Sequence, residues 1–215
     1  ATNGTDQAWG GNRARPDLVK KFFPNGNVPN LESYATAKAA GDDRALFNGV
    51  NRSLDNDDVS TFKSGFGVAK FTNFKTDGSA GKDTTFPDAD FFLMRAAEAY
   101  LNFAEADARI NGGETTAEGT AAINAIRKRA NASTREDKGY TLSDICDEWS
   151  REFYFEGRRR MDLIRFNRYG GNVNYNWQWK GGTKEGRNFS KDLNIFAIPT
   201  NELTSNKNLI QNPGY

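Results

Sequence analysis

The run from Asp90 to Ile110 contains neither Gly nor Pro, and within it Leu93, Ala97, Tyr100, Leu101, Ala104 and Ala108 recur every three or four positions. That spacing keeps one side of a helix apolar and predicts a helix over the run. Asn111-Gly112-Gly113 supplies the glycines at which such a helix stops. A second stripe, Ala122, Ile123, Ile126 and Ala130, predicts a helix from about Ala117 to Arg129. Alanines on both allow close approach, so the pair reads as an antiparallel hairpin of the tetratricopeptide kind. One such repeat cannot bury its own outer face, which implies partner repeats elsewhere. A third helix is predicted near Thr141, whose hydroxyl stands three residues before Asp144 as in a capping box, and continues through Ile145, Trp149 and Phe153 toward Gly157.

The flanks lack this regularity. Residues 1–89 are rich in Gly, Asn, Asp and Lys, with a short helical signal at Pro16–Phe23 and an extended one at Ser64–Phe71. Residues 90–166 form the helical core of this reading. Residues 167–215 read as loops with short strands, Asn194–Ile198 being a buried strand before Pro199. The closing Ile198–Tyr215, with its Asn-Pro-Gly-Tyr end, must be tied down by packing to be ordered. Ala1-Thr2-Asn3-Gly4-Thr5 reads as an internal loop. The fold class is therefore mainly α with long irregular loops and a few short strands.

Composition narrows the function. Lys and Arg total 29 against 28 Asp and Glu, a net charge of +1, so the global balance does not point to nucleic acid or an anionic membrane surface. Histidine is absent, which removes the commonest general base and the commonest zinc ligand. The single cysteine, Cys146, cannot form an internal disulfide. No segment approaches the ~20 apolar residues of a membrane span. The reading has no catalytic residue, no metal and no cofactor.

Several polar constellations stand out in the sequence. Arg95, Glu98, Asn102 and Glu105 share one helical face and read as an ion-pair network reaching Arg127, Arg129 or Arg151. Arg158-Arg159-Arg160 is set against Glu148, Glu152, Glu156 and Asp162 for internal pairing. Asp55-Asn56-Asp57-Asp58 lacks the Gly and Glu of a calcium loop, and Gly81-Lys82-Asp83 lacks the first Gly of a phosphate loop.

Sugar binding asks for flat rings flanked by amide or guanidinium groups. Trp9 stands in a Gly-rich loop with Asn12 and Arg13 close behind, either as a stacking ring or as a pin for the loop. Tyr34 is a further candidate on a polar segment. Tyr175, Trp177 and Trp179 alternate with Asn174, Asn176 and Gln178, so an extended chain places the three rings on one face. That face is either a stacking platform or the inner side of a hairpin packed on the third helix.

Four blocks in order, Asp90–Ala106, Ile123–Ala130, Glu152–Arg165 and Ile198–Tyr215, resemble the SusD/RagB family of surface glycan-binding lipoproteins. The resemblance covers residues 90–215, and Asp43-Arg44 with Val68–Phe71 look like the family's lead-in. It implies a SusD-like helical fold. It also implies a protein at the outer membrane surface of Bacteroidetes-type bacteria that captures oligosaccharides or polysaccharides for a SusC-like TonB-dependent transporter, without turning them over. Family members run to roughly twice this length and begin with a lipid-bearing cysteine, so the chain looks like a C-terminal segment whose N-terminal part and lipid anchor lie elsewhere. Two rival readings stand beside this one: a glycoside hydrolase using two of Glu98, Glu105, Glu152 and Asp162, and a helical scaffold without glycan affinity.

Overall fold

The computed structural model describes residues 5, 6 and 11–215. Its elements are β1 (Arg13–Ala14), α1 (Pro16–Val19), α2 (Ser33–Ala40), β2 (Phe47–Asn48), β3 (Phe66–Val68), α3 (Ala96–Ile110), α4 (Ala117–Arg129), α5 (Leu142–Phe153), α6 (Arg159–Arg165) and α7 (Thr200–Ser205). The fold is mainly helical, as expected, with three very short strands. It divides into two compact units, one ending at Gly157 and the other spanning Arg158–Tyr215.

In the first unit β3 lies between β1 and β2, antiparallel to both, with Ala14 opposite Phe66 and Phe47 opposite Val68. Strands this short cannot hold a sheet alone, so burial must do so. Val19, Phe22, Phe47 and Phe66 form that core with Tyr154, whose ring lies 5.2 Å from Phe47. Gly49 is required here, because a Cβ at that position would stand 2.6 Å from the Phe66 ring.

The helical part buries Leu101, Ala104 and Ala108 of α3 with Ile123 and Ile126 of α4 and Ile145, Cys146 and Trp149 of α5. Helix α4 spans the expected residues. Helix α5 opens with the Thr141–Asp144 capping box in both directions. Two boundaries differ from expectation. Helix α3 starts at Ala96 rather than Asp90, and Leu93 is 86% exposed, off any packed face. The cause lies at Arg95, which is extended (φ −135°, ψ 150°) and turns its guanidinium onto Glu152 and Glu156, at 2.7 and 2.8 Å. Helix α5 ends at Phe153 rather than near Gly157, because Tyr154 leaves the helix for the sheet core and donates its hydroxyl to the Arg44 carbonyl at 2.7 Å.

A buried charge lattice joins sheet to helices. Glu148 of α5 is 0% exposed and accepts from Arg44 at 2.8 Å, Arg127 at 2.7 Å and Arg151 at 2.7 Å. One turn on, Glu152 is 2% exposed and accepts from Arg95 at 2.7 Å, Arg129 at 2.6 Å and Arg44 at 3.1 Å. Asp42 holds the other side of Arg44 at 2.8 Å. Lys70, following β3, donates to the carbonyls of Glu152 and Tyr154 at 2.9 and 3.0 Å and so caps the end of α5. The network expected on the face of α3 is not the one that forms. Arg127, Arg129 and Arg151 converge on α5, and α3 joins through Arg95 at its start, while Glu105 pairs with Arg109 and accepts from the Trp149 indole at 2.9 Å.

The second unit begins with α6, which closes on Asn167 (φ 54°) with Arg168 N–H donating to the Leu163 carbonyl at 2.7 Å. No strand forms among residues 167–215. Asn194–Ile198, expected as a buried strand, leaves a 3-10 turn and runs exposed, with Phe196 72% accessible. Side-chain amides replace the missing partner strand: Gln211 bonds both the N–H and the C=O of Ile198, and Asn212 donates to the Phe196 carbonyl. With Tyr215 O–H on the Ile195 carbonyl at 2.8 Å, these bonds tie down the closing segment.

Two stability predictions follow from the lattice. Glu148→Gln leaves three guanidiniums facing a neutral amide and is expected to cost about 3–5 kcal/mol; urea denaturation followed by tryptophan fluorescence measures it, and a loss below ~1 kcal/mol contradicts the central role of Glu148. Burial alone would raise the carboxyl pKa values, yet Arg151, Arg44 and Arg127 hold Glu148 at about 2, and Arg129 and Arg95 hold Glu152 at about 2. Depressed carboxyl pKa values stabilise the fold above the unfolded range near ~4.4 and lose that contribution as pH falls through the folded values. Thermal melts should thus be level from about pH 5 to 7 and fall steeply between about pH 4.5 and 2; a fall beginning near pH 6 would implicate other groups.

Candidate functional site

The sequence candidates divide between the two units. In the first, Trp9 lies outside the described residues, and Asn12 is exposed just before β1. The Arg13 guanidinium donates to the carbonyls of Thr61 and Val59, tethering that loop to the strand. Tyr34 stands in the first turn of α2 with 74% of its surface accessible, and its ring is open to a ligand.

In the second unit, Tyr175, Trp177 and Trp179 are all half-buried, but the extended alternation that would align them does not persist. Trp179 adopts a left-handed backbone (φ 68°), followed by Gly181 at φ 62°, so the extended alternation breaks at the third ring. Tyr175 and Trp177 remain adjacent, with centroids 6.3 Å apart and planes tilted by 55°. Tyr169 stacks on Trp177 at 6.0 Å and 17°, and Phe189 meets Tyr169 edge-on at 5.0 Å. The result is an angular ring cluster in place of a flat platform.

The cluster is organised by cations. Lys180 is 1% exposed, and its ammonium donates to the Tyr175 carbonyl at 2.6 Å and to Asn188 Oδ1 at 2.7 Å, while lying 4.9 Å from the Trp177 ring centre. Burial pushes its pKa down. Arg159 donates to the Tyr175 hydroxyl at 2.6 Å, Arg168 lies over the Tyr175 ring at 4.9 Å, and Arg160 lies over Phe196 at 4.1 Å. Sequence reading missed Lys180, Tyr169 and Phe189. The available signal was Gly181-Gly182 directly after Trp179-Lys180, which marks a turn and so brings the two ends of the loop together.

The carboxylates weighed for hydrolysis are placed otherwise. Glu105, Glu152 and Asp162 are buried, with ion pairs to Arg109, to Arg95 and Arg129, and to Arg165 at 3.0 Å respectively. Glu98 alone of the four is partly accessible, and the reaction needs two carboxylates across an open cleft. Asp58 accepts from Ser60 N–H and Oγ, and Asp83 from the N–H groups of Thr85 and Phe86, so both complete local turns. Among the described residues, no group of three or more His, Cys, Asp or Glu is placed to hold a metal, and no helix is long and apolar enough to cross a membrane.

The sequence model of the SusD family matches residues 22–215. The starch-binding protein SusD of Bacteroides thetaiotaomicron is 39% identical over an alignment of 243 residues, covering 99% of this chain and 43% of SusD. The chain thus spans less than half the length of that relative. Among solved structures, a SusD superfamily protein from Bacteroides vulgatus matches with a TM-score of 0.55 at 25% identity, over 85% of this chain and 38% of that one. A SusD-like protein from Bacteroides fragilis matches with a TM-score of 0.59 at 22% identity, over 98% and 48% of the two chains.

Lys180→Met keeps the side chain's length and removes its two hydrogen bonds. The loop from Tyr175 to Asn188 should then open more often, and trypsin should cut at Lys184 and Arg187 about tenfold faster, equivalent to ~1.4 kcal/mol of local stability. An unchanged cleavage rate would show that the rings hold the loop without the ammonium.

Proposed function

The chain belongs to the SusD family, and from that premise we propose that it binds glycans at the outer cell surface without turning them over, for delivery to a SusC-like TonB-dependent transporter. The observation that carries this reading is the 39% identity, across 99% of the chain, to a protein named for binding starch. The buried, paired state of Glu105, Glu152 and Asp162 supports binding over hydrolysis. Attachment to the outer membrane by a lipid anchor, and the transporter partnership, belong to the same proposal and come from the family.

A pyranose offers an apolar C–H face and a rim of hydroxyls. We assign contacts in each unit by itself: in the first, apolar contacts to Trp9 and Tyr34 and hydroxyl contacts to Asn12 and Arg13; in the second, apolar contacts to Tyr175, Trp177 and Trp179. The accessible ring of Tyr34 and the half-open cluster at Tyr175 and Trp177 support these assignments.

Affinity electrophoresis and isothermal titration against a panel of neutral and acidic polysaccharides test the function. Binding to at least one glycan, with no release of reducing ends, is the expected outcome, and a failure to bind any would sink the proposal. Trp9→Ala and Trp177→Ala should each weaken binding about tenfold, the scale of one lost stacking contact at ~1.4 kcal/mol. If both variants fold and bind as the parent does, the binding site lies elsewhere.

A further inference from the structure

The second unit departs sharply from the neutrality of the whole. Residues 158–215 carry ten Lys and Arg side chains against four Asp and Glu, a net of +6 within a chain whose total is +1. Arg160, Arg168 and Lys180 each lie over an aromatic ring, and among the described residues none of the three has a carboxylate partner. Arg160 uses one nitrogen, Nη2, on the carbonyls of Leu193 and Asn194. The Arg168 guanidinium makes no hydrogen bond among the described residues, and its one contact is the Tyr175 ring at 4.9 Å.

A guanidinium held over a ring still has N–H donors in its own plane, where a bidentate acceptor takes two of them and a sugar hydroxyl satisfies only one. Covering that edge with a neutral pyranose would take water from the remaining donors without replacing it. A carboxylate or sulfate on the sugar replaces both bonds, and the net positive charge of residues 158–215 adds attraction. Arg168 is well placed for this role because the Asn167 turn that closes α6 fixes its backbone.

We propose that the glycan bound at the Tyr175–Trp177 cluster is anionic, with its carboxylate or sulfate held by Arg168. The inference rests on the glycan-binding reading above and deepens it to a substrate class.

Titration with paired ligands tests it: polygalacturonate against its methyl ester, and dextran sulfate against dextran. The acid form of at least one pair should bind at least tenfold tighter than its neutral form, the carboxylate pair and the sulfate pair showing which anion is read. Arg168→Gln should remove that preference, so that the acid and neutral forms of the pair bind alike, while Lys207→Gln, which removes an exposed charge with no ring contact among the described residues, should retain it. Equal affinities within both pairs overturn the anionic assignment and leave glycan binding intact. Equal losses in Arg168→Gln and Lys207→Gln also overturn it, since bulk charge would then explain the preference. Binding to no glycan at all overturns the functional reading, and this inference with it.

Discussion

Glu148 is the group on which the first unit hangs. A carboxylate with no solvent contact loses its hydration, and several kcal/mol of desolvation must be offset inside the protein. Here the offset comes from guanidiniums on three different segments: Arg44 before β2, Arg127 on α4 and Arg151 on α5 itself. Because the strands are two or three residues long, the sheet has little pairing of its own to rely on. Its position is set by Arg44 and Lys70 reaching α5 and by Tyr154 leaving α5 for the aromatic core. Removing the carboxylates would unfasten the sheet from the helices.

The second unit solves the same problem by other means. It has few buried aliphatic side chains, Leu163 being the buried one, and its loops fold around cations set against rings. Lys180 is the clearest case, since its ammonium bonds the two ends of the Tyr175–Asn188 loop at once. Such contacts are individually modest, about 0.5–2 kcal/mol, and they leave the charge in place. A unit held this way keeps a net charge of +6.

Local spacing made α4 and the cap of α5 legible, because a helical stripe and a capping box are complete within one segment. It failed where a distant residue decided the backbone. Arg95 extends the chain ahead of α3 to reach Glu152 and Glu156, far along the sequence, and no window around Asp90 contains that information. Asn194–Ile198 misled for a related reason: an apolar run reads as a strand, yet Gln211 and Asn212 satisfy its backbone groups and make a partner strand unnecessary. At the candidate site, Tyr175 and Trp177 were found by alternation, but their arrangement depends on the left-handed turn at Trp179 and on a lysine with no acidic neighbour to mark it.

The distribution of acid links fold to function. Spacing along the sequence set Glu148, Glu152, Glu156 and Asp162 against the Arg158–Arg160 run; Asp162 does lie 3.6 Å from Arg158, whereas the three glutamates accept from Arg44, Arg95, Arg127, Arg129, Arg151 and Lys70. Each is saturated by at least two cations and has no need of more. The chain's acid lies mostly in the first unit, since only four of the 28 Asp and Glu fall in residues 158–215. The rings of the second unit are left among cations with few acids of their own, and a ligand meeting Tyr175 and Trp177 meets positive charge there first. Under the proposed assignment, a surface that stacks on one face of the sugar would discriminate by the sugar's charge as well.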